Sequence, residues 1–293
     1  MRIIFIGTVR FSLHSLKHLV ALGANIVGVV TSQKSEFNSD YVDLTEFSIT
    51  HKISYFLTND INAIDCVNWI KEKKPDIVFC FGWSSLLKEE ILSLAPKGVI
   101  GFHPTELPKN RGRHPIIWTL VLGLTETAST FFFMKKGADT GNILSQEKIA
   151  ISEDDDAGSL YEKLQQAALG QIESFLPKLE SRLVVGVCQD ERISNLWRKR
   201  SLRDGCIDWR MSAKSIHNLV RGLSKPYVGA HFAFEDNDVK VWKTSLVSNI
   251  PDNIEPGKVL YLTNEGPIIK CGEGGICLLA TEPNLSLKIG EYL

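Results

Sequence analysis

The chain has 293 residues, 44% of them hydrophobic, and a formal net charge of -1. That is apolar material for one large core and a second, smaller one, yet no stretch approaches the roughly 18 apolar residues of a membrane-spanning helix. A chain this close to neutrality has no overall pull toward nucleic acid or anionic membrane, so any basic site has to be local.

The opening MRIIFIGTVRFS has a short apolar run, then polar residues and no small-residue cleavage site, and it does not read as a secretory signal. RIIFIG ends at Gly7 and reads as a buried strand; FSLHSLKHLVALG has helical spacing and closes at Gly23. NIVGVVTS follows as a second strand, DCVNWIKEKK as a helix, DIVFCFG as a third strand, KEEILSLAP as a short helix and GVIGFHP as a fourth strand. Buried strands alternating with helices predict an α/β fold, a Rossmann-like, mostly parallel sheet with helices on both faces. AGSLYEKLQQAALGQIESFLPKLESRL is a long amphipathic helix, with Leu160, Leu164, Ala168, Ile172 and Leu176 at helical spacing. A polar connector, QDERISNLWRKRSLRDG, comes next. From Cys206 one helix, IDWRMSAKSIHNLVRGL, precedes short alternating segments separated by Gly, Asn, Asp and Pro, which predict a small OB-like β-barrel. The expected organisation is an N-terminal domain at 1–185, a linker at 186–205 and a C-terminal domain at 206–293. Cys66, Cys80, Cys188, Cys206, Cys271 and Cys277 include no CxxC pair and read as buried free thiols of a reducing compartment. The protein is expected to be soluble and cytoplasmic.

Ligands of open α/β sheets bind beyond the C-terminal strand ends, which puts the segments after Gly7, Phe81 and Phe102 on one rim. The densest of them, GFHPTELPKNRGRHPIIW at 101–118, carries His103, Glu106, Asn110, Arg111, Arg113 and His114 and is stiffened by Pro104, Pro108 and Pro115. A stiff loop this rich in imidazole, amide and guanidinium at a strand end reads as a functional site. GADTGNIL, at 137–144, sets Asp139 between Gly137 and Gly141, which let backbone approach a ligand closely. By itself that segment reads as an ordinary turn; paired with His103 it supplies an acid and a base. The seven histidines form no zinc pattern with Cys or Glu, so no metal is expected, and His14 and His18 read as solvated positions on a helix face.

The order G-T-x-x-F-S at 7–12, F-G-W-x-x-x-L at 81–87, H-P-T-x-L-P-x-x-R-G at 103–112 and D-T-G-x-I-L at 139–144 resembles the folate-dependent formyltransferases. That family includes methionyl-tRNA formyltransferases, glycinamide ribonucleotide transformylase and the sugar N-formyltransferases. CIDWRMSAKSIHNLVRGLSKPYVGA and PGKVLYL…PIIKCGEGGICLLA resemble the C-terminal domain of the methionyl-tRNA and sugar branches, so the likeness spans nearly the whole chain. It implies N10-formyltetrahydrofolate as co-substrate and an amine as acceptor. His103 would hydrogen-bond the formyl oxygen as charge builds there, or shuttle protons, and Asp139 would orient His103 and assist removal of the amine proton. Placed donors of this kind typically contribute on the order of 3 kcal/mol each. The family's usual third residue, an asparagine two positions before the histidine, is Gly101 here, and Asn110 is the candidate to replace its amide. The resemblance implies a folate pocket of Phe81, Gly82, Trp83, Leu86 and Leu87, closed by Gly137 and Asp139. It places Thr8, Arg10, Phe11, Ser12, Pro104, Thr105, Arg111, Gly112, Arg113, Lys225 and Tyr227 on the acceptor side, with the Arg and Lys residues for phosphates and Tyr227 for a ring.

Two acceptors fit a chain with this C-terminal region: an aminoacyl-tRNA or an amino sugar on a nucleotide. Gripping tRNA takes many Lys and Arg residues, but 201–293 holds ten Lys/Arg against eleven Asp/Glu, and 32–50 holds one lysine and four acidic residues. WRKR at 197–200 is the contrary run. The balance favours a nucleotide-linked amino sugar of a surface-glycan or pseudaminic-type pathway, with no nucleic-acid or membrane partner. The alternatives are a methionyl-tRNA formyltransferase and a non-catalytic folate or nucleotide-sugar binding protein, the latter supported by Gly101 alone. A homodimer is compatible with the sequence, which leaves the oligomeric state open.

Overall fold

The structure, a computed structural model, describes residues 1–33, 39–181, 184 and 186–293. Its elements in chain order are β1 (Arg2–Ile6), α1 (Arg10–Ala21), β2 (Asn25–Thr31), α2 (Thr45–Thr50), β3 (Tyr55–Leu57), α3 (Ile64–Glu72), β4 (Ile77–Cys80), α4 (Glu89–Leu92), β5 (Val99–His103), β6 (Arg111–Gly112), α5 (Pro115–Val121), β7 (Glu126–Phe133), β8 (Ile143–Ala150), α6 (Ala157–Ser181), β9 (Leu196–Trp197), α7 (Ala213–Leu223), β10 (Ala230–Phe234), β11 (Asn237–Val247), β12 (Val259–Leu262), β13 (Pro267–Lys270) and β14 (Gly275–Glu282). The chain forms two compact units. The first holds residues 1–112, 127–149 and 163–197; the second holds 113–126, 150–162 and 198–293. Residues 186–205, expected as a linker, are divided between them at 197/198.

The first unit is built on a seven-stranded sheet of order β3-β2-β1-β4-β5-β7-β8. Strands β3, β2, β1, β4 and β5 are mutually parallel, and β7 runs antiparallel to β5, pairing Gly101 with Phe132 and His103 with Thr130. Alternation along the strands sends side chains to two faces. Ile4, Ile6, Val78, Cys80 and Val99 pack with Cys66 and Ile70 of α3 and Ile91 of α4. Phe5, Phe79, Phe81 and Phe131 form an aromatic layer on the other face, completed by Phe11 of α1 and Phe175 of α6. The predicted fold class thus holds, with helices on both faces. His14 and His18 are not solvated: each is half-buried, His14 Nδ1 lying 2.5 Å from Gln165 Oε1 and His18 Nε2 3.0 Å from Glu173 Oε1 of α6.

In the second unit, α7 starts at Ser212, whose hydroxyl accepts the Ser215 N–H at 3.1 Å as an N-cap. Its apolar face, Ile216, Leu219, Val220 and Leu223, shares a core with Val239, Val241, Ile269, Ile276, Leu278 and Ile117 of α5. The strands form an antiparallel sheet of order β10-β11-β14-β13-β12. Among the described residues, no ladder between β10 and β12 closes it into a barrel. No helix of the described residues is long and apolar enough to cross a membrane.

Candidate active site

Strand β5 ends on His103, which is 5% exposed. Its Nε2 lies 2.8 Å from the Asn110 carbonyl oxygen. A carbonyl only accepts, so Nε2 carries the hydrogen and donates it. Nδ1 is then the nitrogen that gains or loses a proton, and it faces Asp139 Oδ2 at 3.6 Å. The carboxylate stands beside the one ring atom at which proton traffic occurs.

The loop that carries Asn110 is shaped from within. The Thr105 hydroxyl is shared between the carbonyls of Lys109 and Asn110, at 3.2 Å each. Thr130 Oγ1 donates to the Thr105 carbonyl at 2.6 Å, Gln146 Nε2 to that of Leu107 at 3.0 Å and Thr127 Oγ1 to that of Pro104 at 3.1 Å. Glu106 is paired with Lys148 at 2.9 Å and Lys109 at 3.5 Å; the Lys148 hydrogen bond is the main reason its carboxyl is held below the usual range. Asn110 has a left-handed backbone (φ 63°), and its N–H donates to Asn195 Oδ1 at 2.7 Å. It therefore reaches His103 through its main-chain oxygen. Gly101 shares a strand face with His103, and the space beside it is filled: a Cβ there would lie 2.9 Å from Met134 Cγ and 3.0 Å from Phe132 Cζ. A thioether and a phenyl ring stand where an asparagine side chain would have to fit.

Asp139 also has a left-handed backbone (φ 56°). Its Oδ2 accepts the Gly112 N–H at 2.9 Å, and its carbonyl accepts Gln189 Nε2 at 2.8 Å. Gly141 closes the turn so tightly that a Cβ would fall 1.4 Å from the Phe133 carbonyl oxygen, which only glycine permits. Arg111 is 6% exposed and fully engaged: Gln189 Oε1 accepts from its Nη2 at 2.7 Å, and Glu191 takes a two-pronged ion pair at 2.8 Å per oxygen. Its charge is matched inside the protein instead of being turned to a phosphate. Gly112 continues into the β6–β9 pairing with Trp197.

The neighbouring rim is pinned at both ends. The Ser12 hydroxyl donates to the Phe81 carbonyl at 2.5 Å and accepts the N–H groups of Thr8 and Val9 at 3.1 Å, while Thr8 Oγ1 donates to the Gly82 carbonyl at 3.2 Å. Thr8 and Ser12 thus hold the β1–α1 turn to the end of β4. Phe11 packs against Phe102, with ring centroids 4.3 Å apart and the planes tilted by 32°. Gly82 is left-handed (φ 76°), and a Cβ there would meet Val9 Cγ2 at 2.3 Å. At the far end Asn62 donates to the Leu86 carbonyl at 3.0 Å and accepts the Lys88 N–H at 2.7 Å. Between the pins lie half-buried Trp83, its indole N–H 2.7 Å from Ser85 Oγ, then exposed Leu86 and buried Leu87. Arg10 opens α1 and donates its N–H to the Asp40 carbonyl at 2.9 Å. Gly137 begins the Asp139 turn with φ 108°.

Arg113, Lys225 and Tyr227 belong to the second unit. There the Lys225 ammonium lies 5.5 Å from the Trp242 ring centroid, and Tyr227 packs against the core. Sequence reasoning missed Asn62, Met134, Gln146, Gln189 and Glu191. Each acts on the site from at least 24 residues away in sequence or from an apolar or polar run with no motif, which leaves no local signal.

A family model described as Formyl transferase matches residues 1–173, and one described as Formyl transferase, C-terminal domain, matches residues 200–287. The methionyl-tRNA formyltransferase of Caldanaerobacter subterraneus subsp. tengcongensis is 33% identical over 300 residues, spanning 100% of this chain and 96% of that protein. Among solved structures, WlaRD, described as a sugar 3N-formyl transferase in the presence of dTDP and 5-N-formyl-THF, superposes with a TM-score of 0.73 at 18% identity, over 97% of this chain and 99% of that one. The N-formyltransferase from Helicobacter canadensis, described in complex with folinic acid and dTDP-3-aminofucose, has a TM-score of 0.73 at 17% identity, over 94% of this chain and 98% of that one. At these identities the two structures share the fold.

Proposed function

The chain belongs to the formyl transferase family, and from that premise we propose that it moves a formyl group from N10-formyltetrahydrofolate to the amine of a nucleotide-linked amino sugar. The observation that carries the chemistry is the buried His103, its tautomer set by the Asn110 carbonyl and its Nδ1 turned to Asp139. The loop at 81–87 suits a flat heteroaromatic ring: it is held from behind by Ser12, Thr8 and Asn62 and presents Leu86, 62% exposed, beside Trp83. The folate, when bound, supplies the formyl carbon that the amine attacks. His103 would donate from Nδ1 to the oxygen on which negative charge develops, Asp139 would take the proton the amine gives up, and that proton would leave with N10 of tetrahydrofolate as the bond from N10 to the formyl carbon breaks.

The acceptor is argued from charge. Residues 201–293 carry no basic excess. In the run Arg198–Arg200, Arg198 is paired with Asp204, and Arg200 is 9% exposed with its guanidinium 5.3 Å from the Trp118 ring. One of the three cations of that run is thus withdrawn into the fold, and Arg198, exposed, is already paired with Asp204, where a tRNA backbone would need free cations on the surface. The second reading, formylation of methionyl-tRNA, is favoured by the relative at 33% identity. Turnover followed by mass spectrometry, with formyltetrahydrofolate and a panel of UDP- and dTDP-linked amino sugars beside Met-tRNA, separates the two. Formylation of a sugar, abolished in His103→Ala and Asp139→Ala, is expected; formylation of the tRNA alone would overturn the choice.

A further inference from the structure

We propose that Gln189 is a positioning residue that holds Asp139 in register with His103, an inference whose rate readout rests on the formyl-transfer reading above. Gln189 lies in a polar stretch between α6 and β9, yet it is 6% exposed. A carboxamide can donate two hydrogen bonds and accept two, and here all four are made. Nε2 donates to the carbonyls of Asp139 at 2.8 Å and Gly141 at 2.6 Å; Oε1 accepts Arg111 Nη2 at 2.7 Å and Nε at 3.2 Å.

These bonds close a ring. From the Asp139 carbonyl the path runs through the Gln189 amide to the Arg111 guanidinium, along the chain to the Gly112 N–H, and back to Asp139 Oδ2 at 2.9 Å. One side chain therefore fixes both the main chain and, through Arg111 and Gly112, the carboxylate of Asp139. The clamp is needed because Asp139 occupies the left-handed region, where a non-glycine residue persists only if its surroundings hold it. Glu191 completes the arrangement. Its two oxygens accept from Arg111 Nη1 and Nη2, so the guanidinium is satisfied without drawing the Asp139 carboxylate away from His103.

The two ends of the amide can be tested separately. Gln189→Glu keeps an oxygen for Arg111 but turns the donor end into a second oxygen facing two carbonyls. Gln189→Met keeps the length and removes both ends. For both variants kcat is expected to fall about tenfold or more, because a displacement near 1 Å at the reacting groups is enough for a loss of this size, while KM for formyltetrahydrofolate stays within about threefold. Arg192→Ala, exposed on the same stretch and paired with Asp190, serves as the unaffected control. A readout independent of turnover is the Gly112 amide proton resonance, which the bond to a carboxylate moves downfield and which should return upfield in both variants. If either folded variant keeps wild-type kcat and the wild-type Gly112 resonance, the inference is overturned while the formyl-transfer reading stands. If the wild type formylates no amine, that reading falls, and the resonance alone decides the clamp: unchanged in both variants, it sinks the inference.

Discussion

At His103 the decisive contact is made by main chain. The Asn110 carbonyl fixes which ring nitrogen bears the hydrogen, and the Asn110 amide is not what approaches the imidazole. Asn110→Gly keeps the carbonyl and tolerates the left-handed backbone while deleting the amide. It should retain kcat within about threefold, measured by formyl transfer beside His103→Ala; a loss of tenfold or more would show that the amide itself reaches the reacting groups. His103 and Asp139 were readable from the sequence because one ends a strand on the ligand rim and the other sits between glycines. Gln189 was not, since its partners lie 50 and 78 residues away and a glutamine in a polar stretch looks solvated. Nor was the neighbour of Gly101: Met134 fills the vacant side of β5 only because β7 returns antiparallel beside it, leading out of an apolar run with no turn signature.

At the scale of elements, α5 shows how the loop chemistry ends. Pro115 opens the helix, and His114 precedes it with a left-handed backbone (φ 54°). Burial, then the charges of Arg113, Arg200 and Lys199, push the His114 imidazole down to about 4 from its ordinary 6.5. In the unfolded chain this ring takes up a proton as pH falls through 6.5, whereas the folded chain resists until about 4. The unfolded state binds more protons in that window, so stability declines as pH drops across it. His114→Asn keeps a side chain suited to the left-handed region and removes the titration. Its melting temperature should fall less than that of the wild type between pH 6.5 and 4; parallel curves would refute the assignment. The parallel strands β1, β2, β4 and β5 and the helices α1, α3, α6 and α7 were legible from buried runs and helical spacing. The three-residue β3 was too short to carry a pattern, and the antiparallel return of β7 leaves no trace in a mixed run that is buried on both faces.

For the molecule as a whole, the six thiols report on packing. Cys66, Cys80, Cys271 and Cys277 are buried, and Cys188 and Cys206 are exposed, where the sequence suggested burial throughout. Burial pushes Cys66, Cys80 and Cys271 up to about 12, far from the reactive thiolate. Titration of the native protein with a disulfide reagent should therefore find two fast equivalents, and the other four only on unfolding; more than two fast equivalents would mean that a core opens readily. The chain also alternates between its units in six stretches: 1–112, 113–126, 127–149, 150–162, 163–197 and 198–293. Helix α5 shows what this entails, because Ile117 is part of the same core as α7 and the C-terminal strands. A chimaera of two relatives joined once near residue 200 would thus ask one parent's Ile117 to fit the other parent's C-terminal core. Transplanting the second unit between relatives requires moving three pieces of sequence together.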